Sequence, residues 1–295
     1  MTNVIPTQYS VPTRLQTVQV EGLDIAYREA GPADRPAILL LHGFPTSSHM
    51  YRHLIPALAD RYHVIAPDYP GFGASSAPDA GSFTYSFDRI AEIMEKFLVA
   101  IGCTRFALYM QDYGAPVGLR LAARHPEWVS ALLVQNANAY VEGISPAFDA
   151  FKPFWAGRTP ATEAPVRALL TPAMTRFQFV QGTRQPAALE PEAWHHAQAH
   201  LDRAGNDLVQ LALLHDYRNN PPRYPEWHEY FRRHQPPTLI VWGRNDPFFT
   251  EAGARAFLRD LPQAQLHLLD TGHFALEEDL GAIVLLIRDF LPRHG

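Results

Sequence analysis

Three residues of this chain could together open a bond and then hydrolyse what forms: Asp112, Asp246 and His273. Asp112 stands at the apex of a turn between an apolar run, Phe106–Met110, and an amphipathic stretch, Pro116–Arg124. The run reads as a buried strand and the stretch as a helix. A sharp strand-to-helix turn of this kind lifts one side chain clear at the top of a sheet. The side chain lifted here is a carboxylate, where a serine hydroxyl is the commoner nucleophile. A serine must lose a proton to attack, and it suits acyl carbon. A carboxylate is already an anion at neutral pH and displaces a leaving group from saturated carbon, leaving an alkyl ester on the protein. Attack on an ester would give an anhydride, a poorer route. Asp112 therefore points away from an ordinary esterase or lipase and towards opening an epoxide or expelling a halide.

The other two residues fit the rest of such a cycle. His273 follows a strand-like segment on a glycine-bearing loop, Thr271-Gly272-His273, which suits an exposed imidazole able to activate water. Asp246, also after a strand-like segment, could orient that imidazole and stabilise its charged form. Each has a blander reading alone: Asp112 as a helix cap, Asp246 before Pro247 as turn chemistry, His273 as a helix-entry residue. Their order along the chain, nucleophile then acid then histidine, favours the joint reading. Met110 and Gly114 flank the turn two residues on either side of Asp112. Tight turns favour small residues at both places, so Met110 is a departure.

Other chemistry-bearing residues fare less well. His196 and His200 have the i, i+4 spacing of a metal pair but lack a carboxylate pattern, so a solvated helix face is expected and no metal. Gly71-Phe72-Gly73 lacks the third glycine and downstream acid of a dinucleotide fingerprint. Trp155, Trp194 and Trp227 could line a pocket or simply pack. Cys103, the single cysteine, excludes an intramolecular disulfide and reads as a small packed residue. No cofactor is implied.

To hold these residues in place the chain has 295 residues, 47% of them apolar, enough for one large α/β domain or a core with an insertion. Twenty-five basic against 30 acidic residues give a charge of −5, which offers nucleic acid no basic footprint. Apolar runs such as Ala37–Leu41 are far too short to span a bilayer. Met1–Arg14 is polar and proline-broken, without a signal-peptide core, so a soluble cytoplasmic protein is expected.

Strand-like segments fall at Thr17–Glu21, Ile25–Glu29, Ala37–Leu41, Val64–Ala66, Phe106–Met110 and Val129–Gln135. Helical spacing occupies Ser47–Tyr62, Asp88–Ile101 and Pro116–Arg124. This alternation predicts a doubly wound sheet. From about 138 to 235 the texture turns rich in Pro, His, Trp and Tyr, with no convincing strand, before strands return at Thr238–Trp242 and Gln265–Leu269. The division expected is a core of 1–137 and 236–295, interrupted by a helical lid of 138–235. Open sheets bind ligands at the carboxyl ends of their strands, where such a lid would sit.

The landmarks His42-Gly43-Phe44-Pro45, Asp68-Tyr69-Pro70-Gly71-Phe72-Gly73, the Asp112 turn, Trp242-Gly243-Arg244-Asn245-Asp246 and Thr271-Gly272-His273-Phe274 occur in order, each after a predicted strand. With them the chain resembles the α/β-hydrolase fold, in its epoxide hydrolase and haloalkane dehalogenase branch. The resemblance implies a mostly parallel eight-stranded sheet flanked by helices, with an inserted helical cap. It implies that Asp112 forms an alkyl ester and that His273, oriented by Asp246, activates the water that hydrolyses it. The backbone N–H groups of Phe44 and Tyr113 are then expected to hold the oxyanion. Some dehalogenases carry the acid after the strand preceding the lid. That loop here reads Gln135-Asn136-Ala137-Asn138, without a carboxylate, which leaves Asp246.

The two branches differ at the leaving group. Dehalogenases hold halide with a tryptophan directly after the nucleophile, and Tyr113 stands there instead. Epoxide hydrolases donate from lid tyrosines. Asp216-Tyr217-Arg218-Asn219 resembles one such segment, while the other, near Phe177–Gln181, has Phe179 without a hydroxyl. Tyr140 or Tyr113 could stand in. The resemblance thus implies an epoxide hydrolase acting on a small hydrophobic substrate and water. Alternatives are a dehalogenase of haloalkanes or haloacids and, further off, a non-catalytic binding protein.

Overall fold

The computed structural model describes residues 11–293, and the leader reading of Met1–Ser10 lies outside them. Eight strands form one sheet: β1 (Arg14–Val20), β2 (Leu23–Ala30), β3 (Ala37–Leu41), β4 (His63–Pro67), β5 (Phe106–Gln111), β6 (Val129–Gln135), β7 (Thr238–Gly243) and β8 (Gln265–Leu269). Their order is β1-β2-β4-β3-β5-β6-β7-β8. β2 pairs antiparallel with both β1 and β4. Every other pairing is parallel.

Parallel strands covered on both faces read as unbroken apolar runs, and every residue of β5 and β7 is buried. Side-chain alternation still divides the core in two. Leu39, Leu41, Leu108 and Met110 face one side, packed with α2 (Phe87–Ala100) and α3 (Gly114–Arg124). Ile38, Leu40, Ala107 and Tyr109 face the other, with α1 (Leu54–Leu58) and residues near the chain's end. Ser86 caps α2, its hydroxyl accepting from the Arg89 N–H at 3.1 Å.

The helix expected over Ser47–Tyr62 is instead a 3₁₀ turn, Ser48–Tyr51, followed by the short α1. Pro56 explains the break. Proline has no N–H to donate and is tolerated only in a helix's first turn, so the helix restarts just before it.

Between β6 and β7 the described chain contains no strand but six α-helices: α4 (Lys152–Ala156), α5 (Pro160–Arg167), α6 (Pro172–Val180), α7 (Pro191–Leu201), α8 (Asn206–Asp216) and α9 (Tyr224–His234). α9 packs against α3 and against α10 (Glu251–Asp260), as a crossover helix does. The last helix, α11 (Ala275–Phe290), follows His273 directly. Among the described residues no helix is long and apolar enough to cross a membrane.

Candidate active site

Asp112 lies between β5 and α3 with φ +49°, a left-handed backbone that aspartate tolerates better than most residues. The turn is tight because β3 runs beneath it: a Cβ on Gly114 would lie 2.3 Å from the Leu41 carbonyl oxygen. Met110 is accommodated by a second glycine, since a Cβ on Gly118 would lie 2.7 Å from its Sδ. A large residue before Asp112 is thus balanced by a missing side chain on α3.

The carboxylate has two unlike oxygens. Oδ1 accepts from the Phe44 N–H at 2.8 Å and the Tyr113 N–H at 2.6 Å. Oδ2 lies 3.7 Å from His273 Nε2. His273 Nδ1 is 2.7 Å from Asp246 Oδ2. A carboxylate can only accept, so Nδ1 carries the hydrogen and Nε2 the lone pair in the neutral ring. Asp246 is held in turn by the N–H groups of Phe248 and Phe249 on Oδ1. Asn136 Nδ2 donates to its Oδ2 at 2.8 Å. The structure therefore brings Asp112, His273, Asp246 and the Phe44 and Tyr113 amides into one constellation.

Burial raises the Asp112 carboxyl to about 6, against the opposing pull of His273 and the two backbone N–H groups. For His273 burial favours the neutral ring, but Asp246, with Asp112 behind it, prevails and leaves the imidazole raised above its usual value. If Asp112 is the attacking group, as the sequence predicts, it must attack as the anion. Single-turnover substrate consumption is thus expected to level off above about pH 6 and to fall about tenfold per unit below it. A stopped-flow pH series checks this; a limb near the ordinary aspartate value would contradict it.

Beside Asp112 and His273 lies a cavity of about 40 Å³ walled by Phe148, Phe151, Trp155, Leu214 and Phe248, with Gln178 and Tyr217 among its lining. Among the described residues no Arg or Lys lines it. The Trp155 indole N–H is committed to the Leu214 carbonyl at 2.8 Å. Trp194 packs on Phe179 and Trp227 lies under Arg120 and beside Tyr224, so of the three tryptophans singled out above only Trp155 reaches the cavity. Tyr217 lines it, 4% exposed, and feels the charge of Asp112. Burial lifts the Tyr217 phenol well above its usual value, so it stays a proton donor. The Tyr113 ring lines the cavity too, its hydroxyl buried without a partner among the described residues.

Tyr140 is not brought to this place. Its hydroxyl donates to Asp260 Oδ2 at 2.8 Å, and its ring stacks on His228. It cannot stand in for a lid tyrosine from there. His196 stacks on His49 at 3.9 Å and meets His200 at 4.5 Å. The expected solvated face is thus partly a packed seam, and no group of three or more metal-ligating side chains occurs among the described residues. Cys103 is buried, its thiol pushed up to about 11 by burial, which suits packing.

Sequence reasoning missed three residues. Asn136, noticed only as a missing acid, orients Asp246. Gln178 lines the cavity at 4% exposure, its amide nitrogen without a partner among the described residues. Gln111, next to Asp112, touches His273. The available signal was position alone: two strand ends, and a lid segment searched only for hydroxyls.

A family model of the alpha/beta hydrolase fold matches residues 36–280. The chain belongs to the α/β-hydrolase family. This α/β-hydrolase is 39% identical to an uncharacterized hydrolase of Saccharomyces cerevisiae over 280 residues, covering 93% of this chain and 96% of the relative. It is 32% identical to a haloalkane dehalogenase of Mycobacterium marinum, covering 88% and 85% of the two chains. A solved haloalkane dehalogenase loop variant from Bradyrhizobium elkanii superposes with a TM-score of 0.72 at 24% identity, covering 95% and 97%. That last likeness is one of fold. With relatives named as hydrolases and dehalogenases, this α/β-hydrolase is an enzyme.

Proposed function

We propose that this hydrolase converts small apolar epoxides to vicinal diols through an alkyl ester on Asp112. The observation that carries the reading is a phenol, Tyr217, lining the cavity within electrostatic reach of Asp112 and hydrogen-bonded to a second phenol, Tyr224, while the Trp155 indole N–H is directed to the Leu214 carbonyl. An opening epoxide needs a proton; a departing halide needs only donors.

In the first step Asp112 Oδ2 attacks a ring carbon. The C–O bond breaks, and the alkoxide takes the Tyr217 proton. In the second, His273 Nε2 takes a proton from water and the hydroxide adds to Cγ. The charge gathers on Oδ1, already cradled by the Phe44 and Tyr113 N–H groups. Collapse expels the diol oxygen, which takes the proton of the added hydroxyl. The imidazolium proton returns to Tyr217, and Asp112 is again an anion.

The stretch 138–235 serves in this reading as a lid, with its residues 151–217 supplying Phe151, Trp155, Gln178, Leu214 and Tyr217 to the cavity. One water needs about 10–15 Å³ of such space, so a cavity of about 40 Å³ admits only a small substrate without lid movement. A haloacid would bury its carboxylate beside Asp112 with no Arg or Lys among the described lining residues and with His273 already paired to Asp246, at a cost of several kcal/mol. The haloacid reading is therefore set aside.

Haloalkane dehalogenation is the second reading, favoured by the Mycobacterium marinum relative and by the unpaired Gln178 amide, which could hold a halide. Diol and halide release from matched small epoxides and bromoalkanes separate the two. Tyr217→Phe is expected to lower kcat/KM for the epoxide about a hundredfold, as loss of a general acid does, and to change that for the bromoalkane only slightly. Faster bromide release than diol formation in the wild type, unmoved by Tyr217→Phe, would instead establish the dehalogenase.

A further inference from the structure

Gln111, the last residue of β5, is fully buried, and its Nε2 lies 3.0 Å from His273 Nε2. With the ring hydrogen on Nδ1, Nε2 holds the lone pair, and the amide N–H donates to it. The amide thus caps the atom that the proposed cycle needs as its base. Its other end is unsatisfied: Oε1 is buried and has no hydrogen-bond partner among the described residues. Leaving a buried acceptor unpaired costs stability, which is explicable if another state of the enzyme uses it. That oxygen borders the nucleophile. A Cβ on Gly43 would lie 2.5 Å from Gln111 Oε1 and 2.7 Å from Asp112 Oδ1, so a glycine there leaves the room both oxygens occupy. One amide therefore reaches from the base to the flank of the carboxylate. Phe44, next in that loop, contributes its backbone N–H but no side-chain acceptor.

We propose that Gln111 is a positioning residue for the hydrolytic water, a role that rests on the Asp112 ester reading above. Once the ester has formed, water replaces the amide N–H on His273 Nε2, and the amide carbonyl accepts the water's second hydrogen. With both hydrogens engaged, the oxygen lone pair faces Cγ of Asp112. As the new C–O bond forms, one proton moves to Nε2 and the carbonyl electron pair moves to Oδ1. No bond within Gln111 changes.

Two variants test this. Gln111→Met keeps the length but removes the acceptor; Gln111→Asn keeps the amide but withdraws it by one methylene. Each is mixed with an epoxide or bromoalkane that alkylates His273→Gln protein, and ester formation and decay are followed by rapid quench and intact mass. Ester formation is expected to stay within about threefold of wild type. Ester hydrolysis is expected to slow about tenfold or more, as misplacing a reactant does. The alkylated enzyme then dominates the steady state, and KM falls along with kcat. Hydrolysis that is unchanged or faster overturns the proposal, as does a parallel loss of both steps with a lowered Tm. Should His273→Gln form no adduct with any electrophile, the ester reading itself fails and this inference with it.

Discussion

His273→Gln protein is expected to accumulate a covalent adduct on Asp112 that the wild type clears. The two halves of the proposed cycle ask different things of the site. Attack on carbon needs only the Asp112 anion, a seated substrate and a donor to the leaving oxygen. Hydrolysis needs a base, and a glutamine amide cannot take a proton at neutral pH. Ester decay is therefore expected to slow by about 10²–10⁴-fold, the usual worth of a general base. The protein should survive the change. Asp246 loses its contact with Nδ1 but keeps the Phe248 and Phe249 N–H groups and Asn136. Intact mass after exposure to a small epoxide should rise by the whole epoxide, and after exposure to a bromoalkane by the alkyl group alone. Peptide mapping should place the gain on Asp112. A mass gain elsewhere, or none from a broad panel, would remove the covalent mechanism.

Asp112→Asn carries the second large effect: no adduct and no turnover, because a neutral amide is a poor nucleophile towards saturated carbon. The substitution is mild in shape. Asparagine tolerates the φ of +49°, and its carbonyl oxygen can still accept from Phe44 and Tyr113. It should also stabilise the fold at neutral pH. The folded protein holds the Asp112 proton more tightly than the unfolded chain does, with the carboxyl near 6 against an ordinary 3.8. This group's contribution to stability is thus present below 3.8 and lost as pH rises to about 6. The Tm gain of Asp112→Asn should accordingly be full above about 6 and vanish near pH 4. Thermal unfolding at three pH values checks it; a lower Tm at pH 7 would show that the ionised carboxylate stabilises its surroundings.

Much of this was written in the sequence, for reasons that differ by residue. The β5 run and the Asp112 turn are local, set by neighbours along the chain, and so could be read directly. The joining of Asp112, Asp246 and His273 is not local. It became legible because parallel strands deliver their carboxyl ends to one edge, so three separate strand ends imply one place. Tyr140 shows the limit of that logic. It also follows a strand end, but its direction is set by Asp260, 120 residues later, which no spacing rule reveals. Gln178 was hidden because an amide within a helix reads as polar surface. The Ser47–Tyr62 pattern kept its period while Pro56 interrupted its backbone.

The 3.7 Å between His273 Nε2 and Asp112 Oδ2 carries a last consequence. While Asp112 is an anion it helps hold the imidazole towards its charged form. Esterification would erase that charge and leave Asp246 as the only carboxylate acting on the ring. The histidine would then release its proton more readily just when a base is wanted. The order of the two half-reactions would be kept by the site's own charge, each turnover arming its second half by completing the first.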